Sequence, residues 1–185
     1  MKKFKKIILF FAAVAMFSCN DAETETTTTT ESTTLGGGQA SVVDDESQKD
    51  VVKVAAGSPD HTTLVAAVKQ ADLVNALSNA GPFTVFAPTN AAFDKVGKAT
   101  IDNLMKNENK EQLQDILQYH VYVGILRPEM LYDGQTYNQV NGGNIEIKHV
   151  DGKIMINNSA TVITSIPASN GIIHVIDAVL MPPSK

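Results

Sequence analysis

The chain contains no tryptophan, a single cysteine and few aromatic residues, 6% of 185 positions. One cysteine, Cys19, excludes a disulfide framework within the chain. Histidine is scarce as well. His61, His120, His149 and His174 show no i,i+4 pairing of the HExxH kind and no other metal-ligand spacing. No GxSxG nucleophile elbow occurs, and no carboxylate pair stands out in an apolar setting. Nothing specific therefore supports an enzyme, a metal site or a cofactor. Basic patches interleaved with aromatics are missing too, which argues against nucleic-acid binding. The first apolar run, Ile7 to Phe17, is too short to span a bilayer comfortably.

That same run has another reading. Lys2, Lys3, Lys5 and Lys6 precede it, and without them the formal charge of −5 becomes −9. A basic start followed by a short apolar run is a signal sequence, here residues 1–18. It ends at Ser18-Cys19, a small residue before a lone cysteine, which resembles a bacterial lipobox. Met16 and Phe17 depart from the commoner Leu-Ala or Leu-Ser. The expectation is a lipoprotein whose Cys19 sulfur carries diacylglycerol and whose amine is acylated, with palmitate-type chains. One chain attaches marginally, at about 0.8 kcal/mol per buried CH₂, and two or three hold firmly. Asn20 after Cys19, where Asp would retain, favours the outer membrane or cell surface over the inner membrane.

Residues 19–47 read as the lipidated cysteine and a disordered tether. Eight threonines fall between Thr24 and Thr34, followed by Gly36-Gly37-Gly38 and Asp44-Asp45-Glu46. Such a segment has too little apolar surface to bury to offset ordering. The three glycines are no phosphate loop, since no strand precedes them and no Gly-Lys-Ser/Thr follows.

The remaining residues, 48–183, have the size of one domain. They are organised around Phe83 to Phe93, FTVFAPTNAAF. Phe83 to Ala87 suits a strand buried on both faces, and Pro88 ends it because it has no N–H for the ladder. Thr89 stands as N-cap of a short helix that carries Phe93 inward. Before this stretch, Lys49 to Ala56 reads as a helix. Leu64, Ala67, Val68 and Ala71 mark a second, capped by Thr62 or Asp60. Leu73, Ala76, Leu77 and Ala80 mark a third. After it, Ile101, Leu104 and Met105 mark a further helix. Asn109 to Gln118 carries Asn109 as cap and Gln112 at the capping-box position. Beyond Pro128 the period becomes two. Ile145 and Ile147 lead through the Asp151-Gly152 turn to Ile154 and Ile156. Thr161 to Ile166 is another strand, Asn170-Gly171 a turn, and Ile172 to Met181 a long apolar strand. Helices first and antiparallel strands second give an α+β class.

The central stretch, the Tyr119-His120 pair and SNGIIHVIDAVLMPP (Ser169 to Pro183) together resemble the fasciclin domain family. The resemblance spans Gln48 to Pro183. It implies a wedge-shaped β-sandwich with a packed layer of short helices. Its motif positions are Thr84, Phe86, Pro88, Thr89, Asn90, Asn170, Gly171, His174 and Asp177. Asn90 stands where many members carry Asp and keeps the hydrogen bond without the charge. In animal members the Tyr-His pair is associated with adhesion, so Tyr119, His120, Val121 and Tyr122 are the candidate binding residues. The residues alone read more simply: Tyr119 and His120 half-buried and hydrogen-bonded, holding helix to sheet. His174, between apolar neighbours, reads as a satisfied core histidine.

The expectation is an envelope-anchored adhesion module for a cell-surface or matrix protein or polysaccharide. Two alternatives stay open: binding of a small apolar lipid or pigment between helices and sheet, and hydrolysis of an envelope polymer.

Overall fold

A computed structural model describes residues 49–183. The signal sequence, Cys19 and the tether lie outside the described residues. The described chain forms helices α1 (Val51–Ala56), α2 (Thr62–Gln70), α3 (Val74–Ser78), α4 (Asn90–Val96), α5 (Lys98–Leu104) and α6 (Lys110–Tyr119). Its strands are β1 (Phe83–Pro88), β2 (Val121–Val123), β3 (Thr136–Asn138), β4 (Asn144–Val150), β5 (Lys153–Ile156), β6 (Ala160–Ala168) and β7 (Gly171–Ile176).

All seven strands belong to one sheet in the order β2-β1-β7-β6-β5-β4-β3. Its pairings are antiparallel except β1 with β7, which run parallel with Phe83 beside Gly171 and Pro88 beside Ile176. The sheet curls on itself. Phe86 of β1 shares one buried cluster with Ile145 and Ile147 of β4, although three strands separate them in the sheet order. The two edges meet where the Val140 N–H donates to the Val121 carbonyl at 2.9 Å. The class is α+β, as the chain order implies, but the expected sandwich is a single mixed sheet rolled into a near-barrel.

Two cores lie on the two faces of this sheet. Strand alternation sends Ile173 and Val175 outward to the helices, where they meet Leu64, Ala67, Val68, Leu113, Ile116 and Leu117. Phe86 and Ile176 point inward to the barrel cluster with Ile156, Leu131 and Leu180. β1 is therefore covered on both faces, with Thr84, Phe86 and Ala87 fully buried. Thr89 caps α4, its hydroxyl accepting from Ala92 N–H at 3.2 Å. Asp151 and Gly152 both adopt positive φ, the geometry a two-residue hairpin turn requires.

Several local expectations are corrected. Neither Thr62 nor Asp60 caps α2; a side chain from another helix does, as described below. Asn109 makes no side-chain cap on α6, because its amide turns back to the Asn103 carbonyl at 2.8 Å. Ala76 and Ala80 are exposed, and Leu73 and Leu77 alone carry that stripe inward, half-buried. The turn after β6 is Ser169-Asn170, with Gly171 already paired in β7. The run from Ile172 to Met181 does not stay in the sheet. β7 ends at Ile176, since Asp177 bonds back to Thr161 and the chain then crosses toward α6.

Candidate functional site

Tyr119 and His120 end α6 and lead into edge strand β2. Tyr119 is 1% exposed and points into the barrel cluster. Its hydroxyl donates to the Asn144 carbonyl at 2.7 Å and accepts from Asn157 Nδ2 at 2.9 Å. It thereby ties α6 to both ends of the β4–β5 hairpin region. His120 is 3% exposed, with Nδ1 2.8 Å from the Ile116 carbonyl and Nε2 2.9 Å from Leu180 N. A carbonyl only accepts and an amide only donates, so Nδ1 carries the proton and Nε2 is bare. Burial pushes the imidazole down to about 4, against a smaller upward pull from the Ile116 carbonyl. Val121 is buried too, and only Tyr122 of the four candidate residues is part-exposed. As a set these four do not form an exposed binding surface; three are interior ties.

The other motif positions are also brought into bonds between elements. Thr84 Oγ1 donates to the Gly124 carbonyl at 2.8 Å and accepts from Leu126 N at 2.9 Å. His174, fully buried, is 2.7 Å from the Leu126 carbonyl through Nε2 and 2.7 Å from Ser165 Oγ through Nδ1. Nε2 therefore holds its proton, and Phe86 stacks on the ring at 5.5 Å. Burial lowers its pKa. Thr84 and His174 together pin the segment after β2 onto the sheet. Asp177 accepts from Thr161 N at 2.7 Å and fixes the exit of β7.

Asn90 lies at the start of α4 yet serves α2. Its Oδ1 accepts from Thr63 N at 3.0 Å and Thr62 Oγ1 at 3.2 Å, while Nδ2 donates to the Pro59 carbonyl at 2.9 Å. An aspartate there could not make the last bond. Asn170 Oδ1 accepts from Val51 N at 2.9 Å, and Nδ2 donates to the carbonyls of Leu77 and Asn79, both at 2.8 Å. Gly171 is required by close approach: a Cβ there would lie 1.9 Å from the Phe83 carbonyl oxygen.

Among the described residues no group of three or more His, Cys, Asp or Glu is placed to hold a metal ion. The apolar space between helices and sheet holds two cavities of about 20 and 30 Å³, and His120 lines both. Each has room for about one water, and neither for a lipid or pigment. A third depression of about 370 Å³, beside Phe93, Lys98 and Asp102, is open to solvent.

The sequence reading missed a surface. Tyr122 and Tyr137 touch edge-to-face at 5.7 Å and 78° where the two sheet edges meet, and exposed Tyr132 lies two residues past Met130, whose carbonyl accepts from the Tyr137 hydroxyl. Period-two patterning marks neither ring as adjacent, because β2 and β3 lie at opposite ends of the sheet order.

Comparison with known proteins agrees with this architecture. The fasciclin domain family model matches residues 59–182. A Synechocystis protein designated sll1483 is 46% identical over 137 residues, covering 74% of this chain and 76% of that protein. The Mycobacterium tuberculosis protein named cell surface glycolipoprotein MPT83 is 37% identical over 144 residues, 75% of this chain and 63% of its own length. The FAS1 domain pair from the insect cell adhesion molecule fasciclin I superposes with a TM-score of 0.66 at 19% identity, over 72% of this chain and 51% of that one. With the family model spanning well over half of its length, the chain belongs to the fasciclin domain family.

Proposed function

We propose that this protein is an exported, lipid-anchored adhesion module. The supporting observation is a series of parts: a basic and then apolar leader ending at Cys19, a spacer, and a fasciclin domain similar to a protein named a cell surface glycolipoprotein. The domain works by its surface, holding a cell-surface or matrix partner, while acyl chains on Cys19 hold the membrane. The tether lets the domain stand away from the bilayer, by roughly 5–6 Å times the square root of its residue number.

Two measurements test this. Cys19→Ala should move the protein from the membrane pellet to the soluble fraction; a variant that stays in the pellet would sink the anchor. Deleting residues 48–183 while keeping the leader and tether should reduce attachment to abiotic and biotic surfaces. Unchanged attachment across several surfaces would sink adhesion.

A further inference from the structure

The tyrosines are unevenly placed. The chain has 4: Tyr122 and Tyr137 meet edge-to-face at the seam that closes the sheet, and Tyr132 lies two residues from Met130, whose carbonyl takes the Tyr137 hydroxyl. Tyr122 comes from β2 and Tyr137 from β3, the two edge strands. Tyr132 is 62% exposed in the loop that leads to β3, with Met130 and Val140 exposed nearby in sequence.

This face is held stiffly. The Tyr122 ring lies against Gly124, where any Cβ would come within 2.6 Å of it. The Tyr137 hydroxyl donates to the Met130 carbonyl at 2.6 Å. Leu131, buried beside Tyr132, has its carbonyl held by His149 Nε2 at 2.6 Å, and Asp133 Oδ1 accepts from His149 N at 2.7 Å. The Tyr122 and Tyr137 rings and the backbone flanking Tyr132 therefore need little ordering on contact, which lowers the entropy lost in binding.

The chemistry around them is neutral. Between Val121 and Gly143 the formal charges are Arg127, Glu129 and Asp133, and Asp133 is engaged with His149. Of the nearby side-chain amides, Asn138 and Asn141 are bonded to the protein itself, and exposed Gln135, whose Oε1 lies 3.2 Å from the Tyr137 hydroxyl, is the one that faces solvent beside the rings. The whole chain carries −5, which repels anionic polymers. Flat rings stack on the C–H faces of pyranose rings, and amides and phenols exchange hydrogen bonds with hydroxyls. For an anionic polymer this stretch offers Arg127 alone as a cationic complement, flanked by Glu129 and Asp133.

Resting on the adhesion reading above, we propose that the Tyr122–Tyr132–Tyr137 face is the docking site and that its partner is a neutral, hydroxyl-rich polysaccharide. The rings supply stacking, and the exposed Gln135 amide and Tyr132 hydroxyl supply orientation.

The experiment uses the full chain in detergent. Probes are insoluble β-1,4-glucan and β-1,3-glucan, with alginate as an anionic polymer and collagen as a protein surface. Binding to at least one neutral glucan, little changed between low and high salt, is the expected result. Tyr132→Ala should weaken it about tenfold with an unchanged melting temperature, since that ring is mostly exposed. Tyr132→Phe should retain most of it. Because the chain lacks tryptophan, tyrosine emission should change on adding soluble cellohexaose. No binding to either glucan, salt-sensitive binding to alginate, binding to collagen alone, or glucan binding untouched by Tyr132→Ala each overturns the proposal. Cell attachment separates it from the adhesion reading. Attachment lost on domain deletion but kept in Tyr132→Ala rejects this site alone, whereas attachment kept in both rejects adhesion itself.

Discussion

His120 is neutral because of its neighbours as well as its burial. Protonation would set an N–H at Nε2 against the Leu180 amide, two donors face to face. An unfolded histidine titrates near 6.5 and the folded one near 4. Between those values the unfolded chain binds more protons, so stability falls as pH drops through that window and is complete above it. The gap corresponds to about 3 kcal/mol once fully expressed. His61 and His174, both lowered chiefly by burial, act in the same direction. Thermal melting from pH 7 to 5 should show the decline before carboxylates titrate, and His120→Gln should make it shallower. An unchanged slope in that variant would assign the pH dependence elsewhere. Tyr119→Phe keeps the ring but strands the Asn144 carbonyl and the Asn157 amide. It should cost roughly 1–3 kcal/mol by denaturant titration, with no change in the helical circular dichroism signal.

At the scale of elements, two asparagines do what nearby capping residues do elsewhere. Asn90→Ala removes the acceptor at the start of α2 and should cost about 1 kcal/mol, as loss of an N-cap does. Asn90→Asp should recover part of this, because the acceptor returns but the donor to Pro59 does not. Asn170→Ala leaves α1 and α3 without their bonds to the β6–β7 turn. Gly171→Ala forces β1 and β7 apart and should be the more damaging of the two, roughly 3 kcal/mol or more. Chemical denaturation of the four variants checks the ranking.

These same elements separate what the chain's pattern reveals from what it conceals. Thr89, Asp151-Gly152 and the Ile145 to Ile156 hairpin are legible because their partners sit within a few residues. The cap of α2 is illegible because its acceptor, Asn90, lies 27 residues from Thr63. The end of β7 is illegible because an apolar run looks alike in a strand and in a buried crossing. The parallel β1–β7 pairing joins Phe83 to Gly171, and no local periodicity encodes it. For the candidate site, the two-sided burial of β1 and the core place of His174 were legible, but the near-complete burial of Tyr119 and His120, read as half-buried, was not, since it depends on what the curled sheet brings over them.

For the whole molecule, the filled interior carries a consequence of its own. Neither of the two cavities described between helices and sheet, of about 20 and 30 Å³, has room for an acyl chain. The domain freed by limited proteolysis ahead of residue 49 should therefore show, by native mass spectrometry, a mass with no added lipid or pigment. A stoichiometric apolar adduct would require the helices to part from the sheet. β7 bears on a different matter. It lies between β1 and β6, and it is the last strand among the described residues. Nothing upstream can substitute for it, so the sheet has no middle until that segment is available. A chain that emerges amino terminus first cannot complete this sheet until β7 has emerged.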